Sequence, residues 1–369
     1  MGETVRKKLV ISAVNFDSGG PLSILNDCLS FLSDKYGNNL EVIALVHSKA
    51  LIKADGIKLM EFPKSKRSWF NRMYYEFFYF NKLSKTIKPD FWLSLHDISP
   101  RVDCKIQFVY CHNPTPFYKT SIKDFFVNPK VYLFSKFYKH LYRLNIKSNK
   151  YIIVQQDWIR KEFFRFWGLK NIVVAYPNTP TIERNQDFIE GEKKILFYPS
   201  FPRPFKNFEI LCEAISLLPE DLQGKCELRI TIDKNLNPYA KKIVQKYGNI
   251  KAITFLGLLT REQVFEEYAK ASCLVFPSKL ETWGLPITEF KDFNKPILLA
   301  NLPYARETLG NYDSVKFFDP YNAKELSNII SRYLRNDDIF GSKVADTVAF
   351  PFCIGWNELF KFLLNGEEQ

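Results

Sequence analysis

The sequence predicts an α/β protein made of two doubly wound, parallel-sheet domains, and three observations carry that expectation. Short apolar runs alternate with amphipathic stretches of helical period along most of the chain, as in parallel strands covered by helices on both faces. The alternation breaks once, in a polar stretch near the middle, and then restarts. Finally, 369 residues exceed what one hydrophobic core usually supports, and 34 Phe, 19 Tyr and 6 Trp within a 46% hydrophobic composition can fill two.

In the first half, strands are expected at Leu9–Val14, Leu40–Val46, Ile57–Phe62, Phe91–Leu95, Ile106–Tyr110, Tyr151–Val154 and Ile172–Ala175. Helices are expected between them at Leu22–Tyr36, Trp69–Lys85, Tyr132–Arg143 and Asp157–Trp167. The stretch Tyr176–Glu192, with Pro177, Asn178 and Pro180, reads as the interdomain linker. After it, strands are expected at Ile195–Tyr198, Leu228–Ile232, Ile253–Leu256, Cys273–Phe276, Ile297–Leu299 and Val315–Phe318, with helices at Asn207–Leu217, Arg261–Lys270, Pro286–Phe293 and Ala323–Leu334. Thr260 and Gln263 form a capping box at the start of one of these. The expected division is residues 1–178, a linker 179–192, residues 193–345, and a terminal segment 346–369.

Seven scattered cysteines without a C-x-x-C spacing read as reduced core thiols, and four widely spaced histidines make a protein-bound metal unexpected. No run of about 18 uncharged apolar residues is present, and Leu9–Val14 is too short for a secretory signal. The expected location is therefore cytoplasmic. The net charge of +12 is confined to two windows: residues 63–90 carry +5 with eight aromatics, and residues 117–150 carry +7 with nine. Such a surface suits an anionic membrane face or a polyphosphate, while solvated helix lysines over an aromatic core are the bland alternative.

Ligands of doubly wound sheets bind beyond the strand C-termini, so the loops that follow strands carry the chemistry. After the first strand, Asn15-Phe16-Asp17-Ser18-Gly19-Gly20-Pro21 runs into a helix. Gly19 and Gly20 allow close backbone approach, the helix start offers free N–H groups to an anion, and Pro21 suits an N1 position. In the second half, Pro199-Ser200-Phe201-Pro202-Arg203-Pro204-Phe205-Lys206-Asn207 delivers Lys206, with Arg203 beside it, to a helix start, where cations can face a diphosphate. The loop Pro277-Ser278-Lys279-Leu280-Glu281-Thr282-Trp283-Gly284-Leu285-Pro286-Ile287-Thr288-Glu289 places one carboxylate on the loop and the other near the end of a helix's first turn. Backbone N–H groups of Trp283 to Leu285 lie between them.

The order Gly19-Gly20, Lys206-Asn207, Phe255-Leu256-Gly257, Pro277-Ser278 with Glu281 and Glu289, Asp319-Pro320 and Trp356 resembles the retaining glycosyltransferases of family 4. The resemblance implies a GT-B fold: two facing Rossmann-like domains, acceptor on the first and donor on the second, with the C-terminal helix crossing back to the first. It implies that Glu289 holds the donor ribose, Lys206 and the Gly19-Gly20 amides the diphosphate, and Glu281 the hydroxyls of the transferred sugar. Trp283 and Gly284 N–H groups would position that sugar, with the Leu285 N–H near the distal phosphate. His112 matches the family's active-site histidine, with His96 as a competitor. The chain departs from the family at Phe201, where an arginine is usual, at Pro286, which lacks an N–H, and at Phe290 and Asn294, where small residues are common.

The implied activity is a retaining hexosyl transfer from a nucleoside diphosphate sugar to a saccharide acceptor, lipid-linked, in O-antigen or capsule synthesis. The donor is a co-substrate, and no cofactor, metal or nucleic acid is implied. Combined with the basic, aromatic windows, this places the protein peripherally on the inner face of the cell membrane. The competing classes are a sugar-nucleotide epimerase or phosphorylase of the same fold, and a non-catalytic nucleic-acid- or membrane-binding protein.

Overall fold

All seven expected apolar runs in the first half form strands that pair side by side; all but the edge strand at Lys58–Glu61 are largely buried and can satisfy their backbone groups only through neighbours. In this computed structural model, residues 6–37, 39–117, 137–178 and 192–365 are described. They divide into two compact units, Met1–Asn178 with Val348–Gln369, and Thr179–Thr347. Of the expected linker, residues 179–191 lie outside the described residues.

The strands of the first unit are β1 (Lys7–Ala13), β2 (Leu40–Val46), β3 (Lys58–Glu61), β4 (Phe91–Ser94), β5 (Ile106–Cys111), β6 (Tyr151–Val154) and β7 (Ile172–Tyr176). An eighth, β15 (Phe352–Ile354), joins from the chain's end, so the terminal segment is a strand followed by a helix, Gly355–Asn365, rather than a helix alone. The order is β15-β7-β6-β5-β4-β1-β2-β3, all parallel. The chain runs outward from β1 to β3 and resumes at β4 on the other side of β1. The topological switch point therefore lies between β1 and β4.

Helix Gly19–Tyr36 covers one face with Leu25, Leu29 and Leu32, and the terminal helix packs beside it through Leu359, Phe360 and Leu363. The Phe31 and Phe360 rings stack at 5.9 Å. Each such side chain withdrawn from water stabilises the unit by about 1.5–3 kcal/mol, which holds the helix Gly355–Asn365 to the first sheet. The opposite face carries Phe62, Phe80 and Trp92.

The helix expected at Trp69–Lys85 differs from expectation. It is α-helical over Trp69–Tyr74, makes a π-helical turn over Tyr75–Tyr79 and resumes at Phe80–Ile87. Such turns insert a residue into the helical register and recur at functional sites. Of the expected helix Tyr132–Arg143, residues 137–143 are helical and 132–136 lie outside the described residues. Most of the second basic window, 118–136, lies outside them as well.

The second unit's strands are β8 (Lys194–Tyr198), β9 (Cys226–Ile230), β10 (Ile253–Phe255), β11 (Cys273–Phe276), β12 (Ile297–Ala300), β13 (Tyr312–Phe318) and β14 (Gly341–Lys343). Their order is β10-β9-β8-β11-β12-β13-β14, parallel except for the antiparallel β13–β14 pair. The switch point lies between β8 and β11. Phe197, Tyr198, Phe208, Tyr268, Phe276 and Phe290 fill this core. The Thr260–Gln263 capping box is present, with Thr260 N–H donating to Gln263 Oε1 at 2.8 Å and Gln263 N–H to Thr260 Oγ1 at 3.3 Å. Two helices that the apolar pattern does not announce also appear, at Pro238–Tyr247 and Pro303–Leu309.

Candidate functional site

At the second unit's switch point, the loop after β8 and the loop after β11 meet. Lys206 closes a single 3₁₀ turn, Pro204–Lys206, and its Nζ lies 2.6 Å from Glu281 Oε1. Both side chains are mostly buried yet reach solvent. The two loops are tied by backbone, with Lys279 N–H donating to the Phe205 carbonyl at 2.7 Å, and Tyr198 OH donates to the Lys206 carbonyl at 3.0 Å. The lysine and the glutamate are thus held by rigid strand ends, which is what preorganised electrostatics requires.

Asn207 is the residue that binds this corner together. Its backbone is left-handed, with φ +61°, and its buried Nδ2 donates to Pro277 O at 3.2 Å and Pro320 O at 2.8 Å. It connects the loops after β8, β11 and β13. Sequence reasoning placed it in a motif but assigned it no role. The available signal was an asparagine between a loop lysine and a helix start, the residue type that best tolerates a left-handed turn after glycine.

Gly284 has φ +91°, and a Cβ there would lie 3.2 Å from Ile287 Cδ1 and 3.7 Å from Glu281 Cγ. The position favours glycine for its left-handed backbone, and a Cβ would also press on Ile287. Helix Leu285–Lys291 follows, so Glu289 is its fifth residue, one position further along than expected and at the start of the second turn. Tyr268 OH donates to Glu289 Oε2 at 3.1 Å, and Arg261 lies 3.6 Å from Oε1. Burial raises the Glu289 carboxyl above its usual range against the opposing pull of Tyr268 and Arg261. Trp283 is buried, its Nε1–H donating to Thr288 Oγ1 at 3.0 Å, whereas Leu285 is exposed. Arg203 is exposed, its guanidinium 5.7 Å from the Phe201 ring and 6.0 Å from that of Phe205. Among the expected residues of this unit, the structure joins Lys206 directly to Glu281, packs Gly284 against Glu281, and gives Glu289 separate partners.

The first unit's switch point is built differently. Gly19 and Gly20 are exposed at the start of helix Gly19–Tyr36, and only Gly19 needs a left-handed backbone, with φ +64°. Pro21 occupies the third helical position rather than the first; its missing N–H is still one the helix could not have used. Beside them, the ends of β4 and β5 bring in His96, Asp97 and His112. His96 is fully buried, with Nε2 3.0 Å from Ser12 Oγ and 3.3 Å from Glu76 Oε1. Arg72 Nη2 donates to His96 Nδ1 at 3.0 Å and to its carbonyl at 2.7 Å. A guanidinium has no acceptor, so Nδ1 must accept and the ring proton sits on Nε2. Burial and the Arg72 charge hold His96 well below the usual histidine range. These contacts commit it to the core.

His112 follows β5, its ring centroid 4.1 Å from that of Tyr110 and 5.9 Å from that of Phe16. Burial lowers its pKa to about 4 against the opposing pull of Asp97, so the imidazole is neutral near pH 7 and offers a hydrogen bond rather than a charge. Arg72, Glu76 and Asp97 were missed by sequence reasoning. Glu76, a lone acid in an aromatic run, and Asp97, directly behind a strand, were the visible signals. Among the described residues, no group of three or more His, Cys, Asp or Glu side chains is placed to hold a metal ion, and no helix is long and apolar enough to cross a membrane. All seven cysteines are free thiols, six of them buried.

Residues 178–345 match the family model described as "Glycosyl transferases group 1". The chain is 24% identical over 166 residues to the serotype-specific mannosyltransferase WbdA of Escherichia coli, which is 44% of this chain and 20% of the relative. It is 23% identical over 212 residues to the O-antigen chain mannosyltransferase RfbU of Salmonella typhimurium, 56% and 55% of the two chains. It therefore spans between a fifth and about half the length of these relatives. Among solved structures, WaaG, described as a glycosyltransferase involved in lipopolysaccharide biosynthesis, superposes with a TM-score of 0.61 at 15% identity over 90% of this chain and 96% of that one. Anabaena Alr3699/HepE in complex with UDP and glucose gives 0.61 at 14% over 90% of each. The expected fold class, two doubly wound α/β domains of GT-B type, is observed.

Proposed function

We propose, from the match of residues 178–345 to the model described as "Glycosyl transferases group 1", that this chain is a retaining hexosyltransferase of surface-polysaccharide synthesis, using a nucleoside diphosphate sugar and a saccharide acceptor. The observation that carries this proposal is the Lys206–Glu281 pair at 2.6 Å on the second unit's switch point. A diphosphate arriving there draws the Lys206 ammonium, and the Glu281 carboxylate that the lysine has oriented becomes free to accept hydrogen bonds from sugar hydroxyls. Glu289, already oriented by Tyr268, holds the ribose, and the N–H groups of Trp283, Gly284 and Leu285 line the sugar and the distal phosphate.

In the transfer, the bond from the anomeric carbon to the β-phosphate oxygen breaks and a bond from the acceptor oxygen forms on the same face. The acceptor's proton passes to the departing phosphate oxygen. Negative charge on that phosphate is stabilised by Lys206, with Arg203 near enough in sequence to contribute. Glu281 needs no role as a base. His112, neutral, can give or take a hydrogen bond but carries no charge.

The acceptor is a lipid-linked saccharide at an anionic membrane face. In support, Phe70, Tyr74 and Phe78 on the helix from Trp69 are 88%, 55% and 69% exposed, and Lys64, Arg67, Lys82 and Lys85 are exposed around them. Apolar rings among lysines suit insertion at an acidic bilayer surface. The test offers UDP-, GDP- and dTDP-sugars with a lipid-linked and a water-soluble glycan, and reads the anomeric configuration of the product by NMR. Transfer with retention is expected. Inversion, acceptor-free epimerisation, or consumption of inorganic phosphate would overturn the proposal, and failure to sediment with anionic liposomes at low salt would overturn the membrane part alone.

A further inference from the structure

Asp97 occupies an unusual position at the first unit's switch point. It follows β4, has a left-handed backbone with φ +72°, and is only 8% exposed. A non-glycine residue in that region carries strain that surrounding contacts must hold in place. Its carboxylate gathers those contacts. Oδ1 accepts the His112 N–H at 2.6 Å, the Asn113 N–H at 3.0 Å and the Tyr142 OH at 3.0 Å, while Oδ2 accepts the Tyr138 OH at 3.1 Å. The Tyr142 OH is also 2.8 Å from the Asn113 carbonyl. Two neighbouring strand ends and the helical residues 137–143 thus converge on one carboxylate.

Successive amides at residues 112 and 113 would otherwise have to find partners beyond a strand end, where the ladder no longer supplies them. An acceptor carrying full charge binds them more strongly than a carbonyl would, and in doing so fixes the turn from which the His112 side chain projects. Asp97 itself is held from behind, because its chain neighbour His96 is clamped by Ser12, Arg72 and Glu76. The histidine's direction is therefore set by a chain of buried contacts running from the π-helical turn through His96 and Asp97.

We propose that Asp97 is a positioning residue for sugar transfer, holding the His112–Asn113 turn so that the imidazole meets its ligand; this role rests on the function proposed above. Asp97 does not touch the reacting atoms. Asparagine tolerates the same left-handed backbone, so Asp97→Asn keeps the fold while removing the charge that grips two amides and two phenols.

The experiment is a double-mutant cycle in the full chain, using Asp97→Asn, His112→Ala and the pair, with Tyr142→Phe as a second probe of the same carboxylate. Three readouts are taken: acceptor-dependent transfer, stabilisation by the nucleoside diphosphate whose sugar serves as donor, and the thermal midpoint. Expected results are a loss of about tenfold or more in transfer for Asp97→Asn, a smaller loss for Tyr142→Phe, and unchanged nucleotide stabilisation. The pair should lose no more than His112→Ala alone, because residues that act through one another are not additive. A purely structural role would instead lower the midpoint and leave the two losses multiplicative. Asp97→Asn with wild-type transfer, or multiplicative losses, overturns the positioning role while leaving the enzyme assignment intact. If His112→Ala keeps full transfer, the assignment of His112 falls first and this inference with it.

Discussion

The two switch points of this molecule share a topology and differ in how they treat charge. In the second unit, Lys206 and Glu281 face each other with 18% and 12% of their side chains exposed, an ion pair that a charged ligand can enter and divide. In the first unit, Arg72, Glu76, His96 and Asp97 are all buried, in contact with one another, with the backbone and with the hydroxyls of Ser12, Tyr138 and Tyr142. A pair that still reaches solvent can be exchanged for a ligand at lower cost than one sealed in the core. A buried network cannot, since breaking it leaves charges without solvent. The same sheet geometry therefore yields one corner with an ion pair open to exchange and one that holds a neutral imidazole still.

The largest expected effect tests the exchangeable pair. Lys206→Ala should lower transfer by about 100- to 1,000-fold, the usual consequence of losing a group that stabilises developing negative charge, with the thermal midpoint held because Glu281 still reaches solvent. Near-normal turnover would erase the distinction drawn between the corners.

Next is the scaffold of that corner. Asn207→Ala loses two hydrogen bonds and leaves a left-handed backbone without its favoured residue, costing about 2–4 kcal/mol in urea denaturation. Asn207→Gly keeps the backbone freedom and should cost less. Equal losses would show that the side-chain bonds alone matter.

The buried corner makes a prediction in pH. Burial raises the Glu76 carboxyl from 4.5 to about 8 against the pull of Arg72, so the folded chain holds that proton more tightly than the unfolded one. Its contribution to stability is complete below pH 4.5 and is lost as pH rises through about 8. His112 has the opposite sense: its lowered pKa gives a contribution present above pH 6.5 and lost as pH falls through about 4. Thermal midpoints across this range should therefore show an alkaline decline that Glu76→Gln flattens and an acid decline that it leaves alone. An alkaline decline unchanged by Glu76→Gln would contradict the burial of that carboxylate.

The smallest effect on the fold belongs to the exposed aromatics of the first unit. Phe70→Asp with Phe78→Asp should shift stability by no more than about 0.5 kcal/mol per site while abolishing sedimentation with anionic liposomes. Retained sedimentation would remove these rings from membrane docking.

Much of the architecture can be read without coordinates. The runs Leu40–Val46, Tyr151–Val154 and Cys273–Phe276 are strands over those same residues, and Asp157–Trp167, Arg261–Lys270 and Ala323–Leu334 are helices likewise. Their periodicity is local and strong, so no distant contact is needed to interpret it. The helices at Pro238–Tyr247 and Pro303–Leu309 left weaker traces, a proline in the first turn of each and the Asn237 cap. Edge strands such as β14, with the sequence Gly-Ser-Lys, carry no apolar signal because one neighbour is enough to hold them.

Composition and order along the chain were thus sufficient for the fold class, the alternation of elements, the loops in which Lys206, Glu281 and His112 sit and the helix start that carries Glu289. They were insufficient for partnership. Lys206 meets Glu281 across 75 positions, Asn207 reaches Pro320 across 113, and a seamless helical period over Trp69–Lys85 conceals the π-helical turn that accompanies the burial of Arg72 and Glu76. Pairings of this kind follow from which strand lies beside which, and burial of a charge exists only once the surrounding core has closed over it. Neither quantity is written in the neighbourhood of any single residue.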